Sequence, residues 1–195
     1  WGAPAVPPVQ ELAPAEANFL HQALDALDAV IRHHREGTRH GIRMDEDGLI
    51  TQGEPGLQLT WMDAKCEDQV FTPRHGKPIE VQALWHTTLA VAALLRRAHG
   101  DVQRAKELEE IAQRVRRSVE EKFRSEVAGG LADVVGPDGR PDLAVRPNQI
   151  LAVSLPFPLA GRERAAEVLA VVEHHLLTPC GLRSLAPYHA EYIGH

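Results

Sequence analysis

Residues 78–100 read PIEVQALWHTTLAVAALLRRAHG, and this stretch decides the fold class. Proline is tolerated at the first position of a helix, and glycine is common just after the last turn. The apolar residues between them cover much of a helix circumference; they are Ala83, Leu84, Leu89, Val91, Ala92, Leu94 and Leu95. A helix of this kind must be covered on several sides. We therefore predict a deeply buried helix from Pro78 to Gly100.

Amphipathic segments with the helical period lie on both sides of this stretch. Each has an apolar stripe and a boundary signal, such as Gly37 after the first segment and Asp101 as the N-cap of another. The predicted helices span residues 15–36, 101–123 and 161–177, with a short helix, PNQILAVSL, that begins at Pro147. The sequence therefore indicates a mostly helical chain.

Strand-like pieces occur within the connections between helices. Asp47-Gly48 lies between two short alternating segments, which is a hairpin signal, and Pro137-Asp138-Gly139 marks a second turn. Helix pairs joined by long loops that alternate in position favour an all-α fold, an α/α toroid whose loops at one end build the active site. The alternative is an array of helical repeats, but the sequence lacks the fixed-period self-similarity of such arrays.

Composition limits the classes of partner. The 21 basic and 27 acidic residues leave a formal charge of -6, which argues against a nucleic-acid partner bound through its phosphates. No apolar run approaches the roughly 20 residues that cross a bilayer, so no membrane partner is expected. Two distant cysteines, Cys66 and Cys180, fit a reducing cytosol and predict a cytoplasmic location.

Eleven histidines raise the question of a bound metal. The pairs His33-His34 and His174-His175 lie near predicted helix ends, where an imidazolium ion suits the helix dipole. Neither an HExxH motif nor a tight His-Cys spacing occurs in the sequence. We therefore expect no metal site, because zinc-binding motifs have characteristic short ligand spacings.

Residues 53–89 carry side chains suited to carbohydrate chemistry. Glycoside hydrolysis needs one protonated carboxyl group to assist the leaving oxygen and one carboxylate to activate water or attack the sugar. Asp63, between Met62 and Ala64, is the candidate acid, because apolar surroundings raise the pKa of a carboxyl group. Lys65 would oppose that rise if it pointed toward Asp63.

Two tryptophans and several hydrogen-bond donors complete a candidate sugar cleft. Trp61 and Trp85 offer flat apolar faces to a sugar ring. Arg74, Lys77 and Asn148 offer donors to its hydroxyl groups. Together these residue types predict a cleft that binds and cleaves a sugar.

Each of these residues also has a structural interpretation. The tryptophans could be core residues, and an aspartate such as Asp63 is often a loop cap. Glu80 could complement the dipole at a helix N-terminus, and Pro147-Asn148 could be no more than a helix start. From the residues alone, a hydrolase and a non-catalytic helical scaffold or carbohydrate-binding module both remain open.

Four blocks of the sequence, in order, resemble the C-terminal amylo-α-1,6-glucosidase region of glycogen debranching enzymes. They are HGIRMDEDGLITQGEPGLQLTWMDAK (40–65), TPRHGKPIEVQALWHTTL (72–89), RPNQILAVSLPFPL (146–159) and GLRSLAPYHAEY (181–192). The TWMDAK part is specific, and the four blocks span most of the chain. Since the family fold is an (α/α)6 barrel, the resemblance implies a partial (α/α)6 toroid with long loops that carry short β-hairpins.

The resemblance implies hydrolysis of the α-1,6-linked glucose at a glycogen branch stub, by an inverting mechanism without a metal or an organic cofactor. The substrate partner would be glycogen or a branched α-glucan oligosaccharide, and Asp63 matches the general acid of the family. Other residues match positions that line the cleft or belong to the third block: Trp61, Lys65, Arg74, Lys77, Glu80, Asn148 and Gln149. The alternative within the enzyme class is another α/α-barrel glycosidase, similar to glucoamylase or trehalase.

The sequence departs from the family pattern at two places and in extent. It reads CEDQ at 66–69 and WHTTL at 85–89, and either change could alter contacts with the sugar. In the family, the second catalytic carboxylate is a glutamate beyond the position of His195. We therefore expect residues 1–14 to be an extended lead-in and residues 15–195 to be part of one barrel domain, truncated on its C-terminal side. Such a piece would be inactive alone and would self-associate through its exposed half-barrel face.

Overall fold

The computed structural model describes residue 7 and residues 11–125 and 129–194. These residues contain five α-helices: α1 (Pro14–Glu36), α2 (Ile79–Ala98), α3 (Val102–Lys122), α4 (Leu151–Ser154) and α5 (Arg162–His175). A 3-10 turn, Pro147–Ile150, leads directly into α4. The helices predicted from the period are thus confirmed, whereas most of the lead-in predicted at 1–14 lies outside the described residues.

Helix α2 forms the centre of the core. Its inner residues, among them Ile79, Ala83 and Leu89, are almost fully buried, and α1, α3 and α4 pack against it. Leu84 differs from the prediction, because it is 52% exposed rather than part of the buried circumference. The helix also begins one residue later than predicted, since Pro78 has extended dihedral angles and pairs as a strand.

Helix α3 packs along α2 through a stripe of apolar side chains. Leu108, Val115 and Val119 are buried, as the helical period predicts. The Asp101 carboxylate accepts a hydrogen bond from the Arg104 amide at 3.1 Å, so Asp101 is the predicted N-cap. Only residues 99–101 connect α2 and α3, which makes the two helices antiparallel neighbours.

The two long connections, one between α1 and α2 and one between α3 and α4, meet in a small sheet. Strand β5 (Lys77–Pro78) of the first connection pairs antiparallel with β6 (Val134–Val135) of the second, which also pairs with β7 (Pro141–Asp142). The turn between β6 and β7 contains the predicted signal at 137–139. Because the short α2–α3 connection lies at the opposite end, both long connections lie at one end of the helices.

Three more antiparallel hairpins lie outside the helices. They are β1 (Arg43–Met44) with β2 (Ile50–Thr51), β3 (Lys65–Cys66) with β4 (Gln69–Val70), and β8 (Leu177–Thr178) with β9 (Gly181–Leu182). The first is the hairpin that Asp47-Gly48 predicts. The second closes through a two-residue turn in which Glu67 has a φ of 52°, so the CEDQ departure forms this turn.

The WHTTL departure places His86 on the buried side of α2. Its Nδ1 lies 3.0 Å from the carbonyl oxygen of Phe157. Burial lowers the pKa of His86 to about 4, and the charge of Arg116 acts in the same direction, whereas the hydrogen bond opposes it. The ring is therefore neutral at pH 7, and its Nδ1–H donates to the carbonyl oxygen of Phe157. This bond joins α2 to the PFP segment at residues 156–158.

The mostly helical architecture is confirmed, while the partial (α/α)6 toroid remains a prediction. The described residues supply five helices, one of them a single turn, which are fewer than the helix pairs of an (α/α)6 barrel. None of these helices has the length and apolar character needed to cross a bilayer. The arrangement gives the site one wall of helices and one end covered by long loops.

Candidate active site

Segments distant in sequence meet at the buried carboxylate of Asp133, just before β6. Arg74 donates to it twice, from Nε to Oδ2 at 2.8 Å and from Nη2 to Oδ1 at 3.1 Å. The side-chain amide of Asn148 donates to Oδ1 at 2.7 Å, and Nε of Arg146 lies 3.6 Å from Oδ2. We call Arg74, Glu80, Asp133, Arg146 and Asn148 the Asp133 cluster.

Arg74 lies between two carboxylates in this cluster. Its guanidinium forks onto Glu80, with Nη1 facing Oε1 and Nη2 at 2.6 Å from Oε2, and its side chain is almost fully buried. Burial disfavours the charge of Arg74, but the hydrogen bond to Glu80 and the charges of both carboxylates outweigh it and raise its pKa. Burial raises the pKa of Asp133, and this exceeds the lowering caused by Arg74 and Asn148.

Asn148 connects the cluster to the loop that carries Asp63. Its Oδ1 accepts a hydrogen bond from Nε1 of Trp61 at 2.8 Å, and its Nδ2 lies 3.2 Å from Sδ of Met62. Asn148 is only 3% exposed, and Met62 is buried as well. The two residues before Asp63 are therefore both anchored to one buried amide.

Asp63 itself is exposed. It forms no hydrogen bond or ion pair with any part of the chain that the structure describes, whereas Trp61 beside it is 61% exposed. The apolar surroundings predicted for Asp63 are not formed by the described residues, because the loop turns Met62 inward and Asp63 outward. Lys65, at the start of β3, is exposed too.

The base of this loop is fixed by the backbone. Gln52 and Gly76 form an antiparallel bridge, with Gln52 N to Gly76 O at 2.8 Å and Gly76 N to Gln52 O at 2.9 Å. A Cβ at position 76 would lie 2.3 Å from the carbonyl oxygen of Val135, and φ of Gly76 is +118°. Only glycine fits this close approach, so the loop is pinned beside β6 and hence beside Asp133.

Lys77 lies in a different ion-pair group. Its Nζ is 2.7 Å from Oδ2 of Asp47 and 3.0 Å from Oδ2 of Asp45, and Lys122 also pairs with Asp47. Burial raises the pKa of Asp47, but hydrogen bonds from Lys122 and Lys77 outweigh it and lower the pKa. The ammonium group predicted to bind sugar is therefore engaged at the β1–β2 hairpin.

Two other predicted sugar contacts are buried in structural roles. Trp85 donates from Nε1 to the carbonyl oxygen of Gly48 at 3.0 Å, and its ring stacks on His34 with centroids 5.5 Å apart. Gln149 accepts from the Leu131 amide at 3.1 Å and donates to the Arg146 carbonyl oxygen at 3.2 Å. Neither is exposed, so the structural interpretation left open for the tryptophans fits Trp85, while Trp61 has an exposed ring.

Asp133 and Arg146 were missed by sequence reasoning. A signal exists in GGLADVV, where a lone acid follows Ala132 and precedes two valines in a run that is otherwise apolar. A charged residue in such a run is costly to bury unless it is paired. Arg146 also donates to the carbonyl oxygen of Ser184 at 3.3 Å, so residues of all four family-like blocks meet at or beside Asp133.

Among the described residues, no group of three or more His, Cys, Asp or Glu side chains is arranged to hold a metal ion. The carboxyl group of Asp63 and the ring of Trp61 are exposed, and these residue types suit proton transfer and sugar stacking. The charged residues of the Asp133 cluster hold one another rather than facing solvent.

Comparison with known proteins adds two findings. The family described as Amylo-alpha-1,6-glucosidase matches the chain over residues 1–195. Among solved structures, a GH78 family rhamnosidase of Bacillus sp. GL1 matches with a TM-score of 0.58 and 18% sequence identity, over 80% of this chain and 15% of that chain. At this identity the likeness concerns the fold alone. No curated protein matches the chain.

Proposed function

The chain belongs to the amylo-alpha-1,6-glucosidase family, and from this premise we propose that it carries the general acid of a glycoside hydrolase, Asp63. The carboxyl group donates its proton to the glycosidic oxygen as the bond to the leaving sugar breaks. An inverting mechanism needs a second carboxylate that activates water on the opposite face of the ring. The proposed substrate is α-1,6-linked glucose at a branch stub of glycogen or a branched α-glucan oligosaccharide.

The observation that carries the proposal is an exposed Asp63 two positions after an exposed tryptophan. A carboxyl group in an ion pair is held as the carboxylate and must lose its partner before it can carry a proton, whereas Asp63 has no such partner among the described residues. The face of Trp61 can stack on a sugar ring held beside the acid. Lys65, two residues on, is also exposed and is a proposed donor to sugar hydroxyl groups.

We propose further that the catalytic base comes from outside this chain. Glu80 and Asp133, the two carboxylates of the Asp133 cluster, are buried and hydrogen-bonded to Arg74. A carboxylate held in that way cannot approach a water molecule on the open side of a sugar. The chain spans 15% of the length of the rhamnosidase that it matches, so the activity of a whole protein is part of the proposal.

The test is hydrolysis of a branched limit dextrin by the full-length protein. Asp63→Asn should lower kcat by about 10²–10⁴-fold, which is the contribution of a positioned proton donor. Asp25→Asn makes the same charge change on an exposed carboxylate of α1 and should leave kcat unchanged. Glucose released at early times should be the β-anomer if the mechanism inverts.

The substrate panel separates the alternatives. Preference for maltose or trehalose over limit dextrin would favour a glucoamylase-like or trehalase-like glycosidase. Binding of branched glucan without hydrolysis of any of these substrates would favour a non-catalytic module. Full activity of Asp63→Asn on limit dextrin would contradict the proposed acid.

A further inference from the structure

We propose that Asn148, oriented by Asp133, is a positioning residue that fixes the place from which Asp63 donates its proton. The proposal rests on the proposed function of Asp63 as general acid. It changes the role predicted for Asn148 from its residue type, which is a donor to the hydroxyl groups of the sugar. Asn148 is 3% exposed and its amide is fully engaged by protein groups, so it acts through the residues it holds.

The amide of Asn148 fits its neighbours in one orientation. The Asp133 carboxylate accepts hydrogen bonds, so it faces Nδ2 at 2.7 Å, and the indole N–H of Trp61 can only donate, so it faces Oδ1 at 2.8 Å. The second hydrogen on Nδ2 is free for Sδ of Met62 at 3.2 Å. A residue at this position must therefore donate on one side and accept on the other.

Asp133 is itself fixed before it orients Asn148. Arg74 holds both of its carboxylate oxygens and also donates from Nη2 to its backbone carbonyl oxygen at 3.2 Å. That backbone oxygen in addition accepts from the Ile79 amide at 3.0 Å, at the start of α2. The orientation of Asn148 is thus fixed, through Asp133, by the buried start of α2.

Asp63 depends on its neighbours for its place, because it forms no bond of its own within the described part of the chain. On one side, both preceding residues are held by Asn148. On the other side, the carbonyl oxygen of Ala64 accepts from the Phe71 amide at 3.2 Å, at the root of the β3–β4 hairpin. The proton donor is therefore carried on a short segment fixed at both ends.

The hydrogen bond between Asn148 and Trp61 also sets the orientation of the Trp61 ring. Its N–H edge points inward to Asn148 while the ring stays exposed. Trp61 and Asp63 are two residues apart in the chain, with Met62 between them, so one buried amide that holds Trp61 and Met62 aligns both the ring and the acid. A displacement of about 1 Å between an acid and the atom it protonates can cost about 10²-fold in rate.

The experiment compares two leaving groups in the full-length protein. Limit dextrin needs a proton on its leaving oxygen, whereas α-glucosyl fluoride releases fluoride with little help from an acid. Asn148→Leu keeps the branched shape of the side chain and removes its polar contacts with Trp61, Met62 and Asp133. Its kcat on limit dextrin should fall about 10²-fold, and its kcat on α-glucosyl fluoride should fall less than about threefold.

Gln82→Leu is the matched control. Gln82 also has a buried amide, which accepts from the Ile50 amide at 2.8 Å and donates to the carbonyl oxygens of Ile50 and Pro78 at 2.8 and 3.1 Å. A loss of stability alone should affect both substrates equally in this variant. Hydrogen exchange of amides 59–66 should speed up in Asn148→Leu and not in Gln82→Leu.

Each outcome separates the two proposals. Equal losses on both substrates in Asn148→Leu, with unchanged exchange at 59–66, would overturn the positioning role while selective loss in Asp63→Asn preserves the acid. Equal losses in Asp63→Asn would overturn the acid and the positioning role with it. If Asn148→Leu does not fold, Asn148→Asp replaces it, because a carboxyl group keeps an acceptor for Trp61, and the same comparison of substrates decides.

Discussion

At the scale of single residues, substitution of a buried arginine between two carboxylates affects folding, whereas substitution of an exposed arginine near a sugar affects binding. Removal of one partner from a buried ion pair typically costs about 3–5 kcal/mol, since a charge is left without compensation. Arg74, Glu80 and Asp133 form such a group. Loss of activity in their variants would therefore report loss of folding as readily as loss of a sugar contact.

Asn148→Asp gives a test through pH. The introduced carboxyl group faces Asp133, so repulsion raises its pKa, while Arg74, Arg146 and Glu80 surround the pair in both proteins. When protonated, it can donate to Asp133 and accept from Trp61, as the amide does. The ratio of variant to wild-type kcat on limit dextrin should therefore rise as pH falls.

The stability of this variant should follow the same sign. A folded-state pKa above the unfolded value means that the destabilisation is absent below the unfolded pKa and grows as pH rises toward the folded pKa. Denaturation midpoints and kcat ratios, measured on the same samples, check both statements. A kcat ratio constant over the whole pH range would count against the donor role of the amide at 148.

The residues that remain candidates for the site are those whose surroundings depend on the chain nearby. Trp61 and Asp63 are exposed neighbours in one motif, and the structure keeps them so. Lys77 and Trp85 belong to the same stretch, but their side chains contact Asp47 and Gly48. These partners lie 30 and 37 residues earlier in the sequence. Distance in sequence gives no information about which of several nearby groups a long side chain will meet.

At the scale of elements, the N-cap of α3 offers a clean test of the helix boundary. Asp101→Ala should destabilise the protein by about 1 kcal/mol, because the Arg104 amide loses its acceptor. Asp101→Asn is the control, since asparagine caps equally well. Urea midpoints at equal slopes give the difference. Equal stability of the two variants would show that the cap contributes nothing.

Helices were predictable, whereas the hairpins β3–β4 and β8–β9 were not, for a physical reason. A helix such as α3 repeats its apolar stripe over 21 residues, so the period is visible in the sequence. The strands here have two residues each, too few to show alternation. β3–β4 and β8–β9 therefore appeared as loops, whereas β1–β2 was found through the Asp47-Gly48 turn.

Local sequence signals do not predict the pairing of β5 with β6. Lys77 pairs with Val135 across a connection that includes two whole helices. The pairing brings Arg74 beside Asp133, which is how the cluster forms. Only the assembled helices determine that contact, and the sequence motifs taken separately do not contain it.

At the scale of the whole molecule, exposed apolar residues support the prediction of self-association. Large apolar side chains are exposed on several elements: Phe19, Leu84, Leu169, Leu177, Leu182 and Ile193. The 195-residue chain should show a mass by light scattering that rises with concentration, because associated copies bury such side chains. Leu84→Gln should weaken the effect if α2 takes part. A monomer mass at all concentrations would contradict it.

The four family-like blocks are distant in sequence, but the fold brings them together around one buried cluster. The family matches residues 1–195, and residues of all four blocks converge at or beside Asp133. We propose that the cluster holds the loop, that Trp61 faces the sugar and, above all, that Asp63 supplies the proton.

That claim is tested most directly by Asp63→Asn in the full-length protein, assayed on limit dextrin and on α-glucosyl fluoride. We predict that kcat on limit dextrin falls by about 10²–10⁴-fold while kcat on α-glucosyl fluoride stays within about tenfold of wild type. The proton is then needed only where the leaving group is a sugar oxygen. Equal kcat changes on the two substrates, or none on either, would contradict the assignment of Asp63 as the general acid.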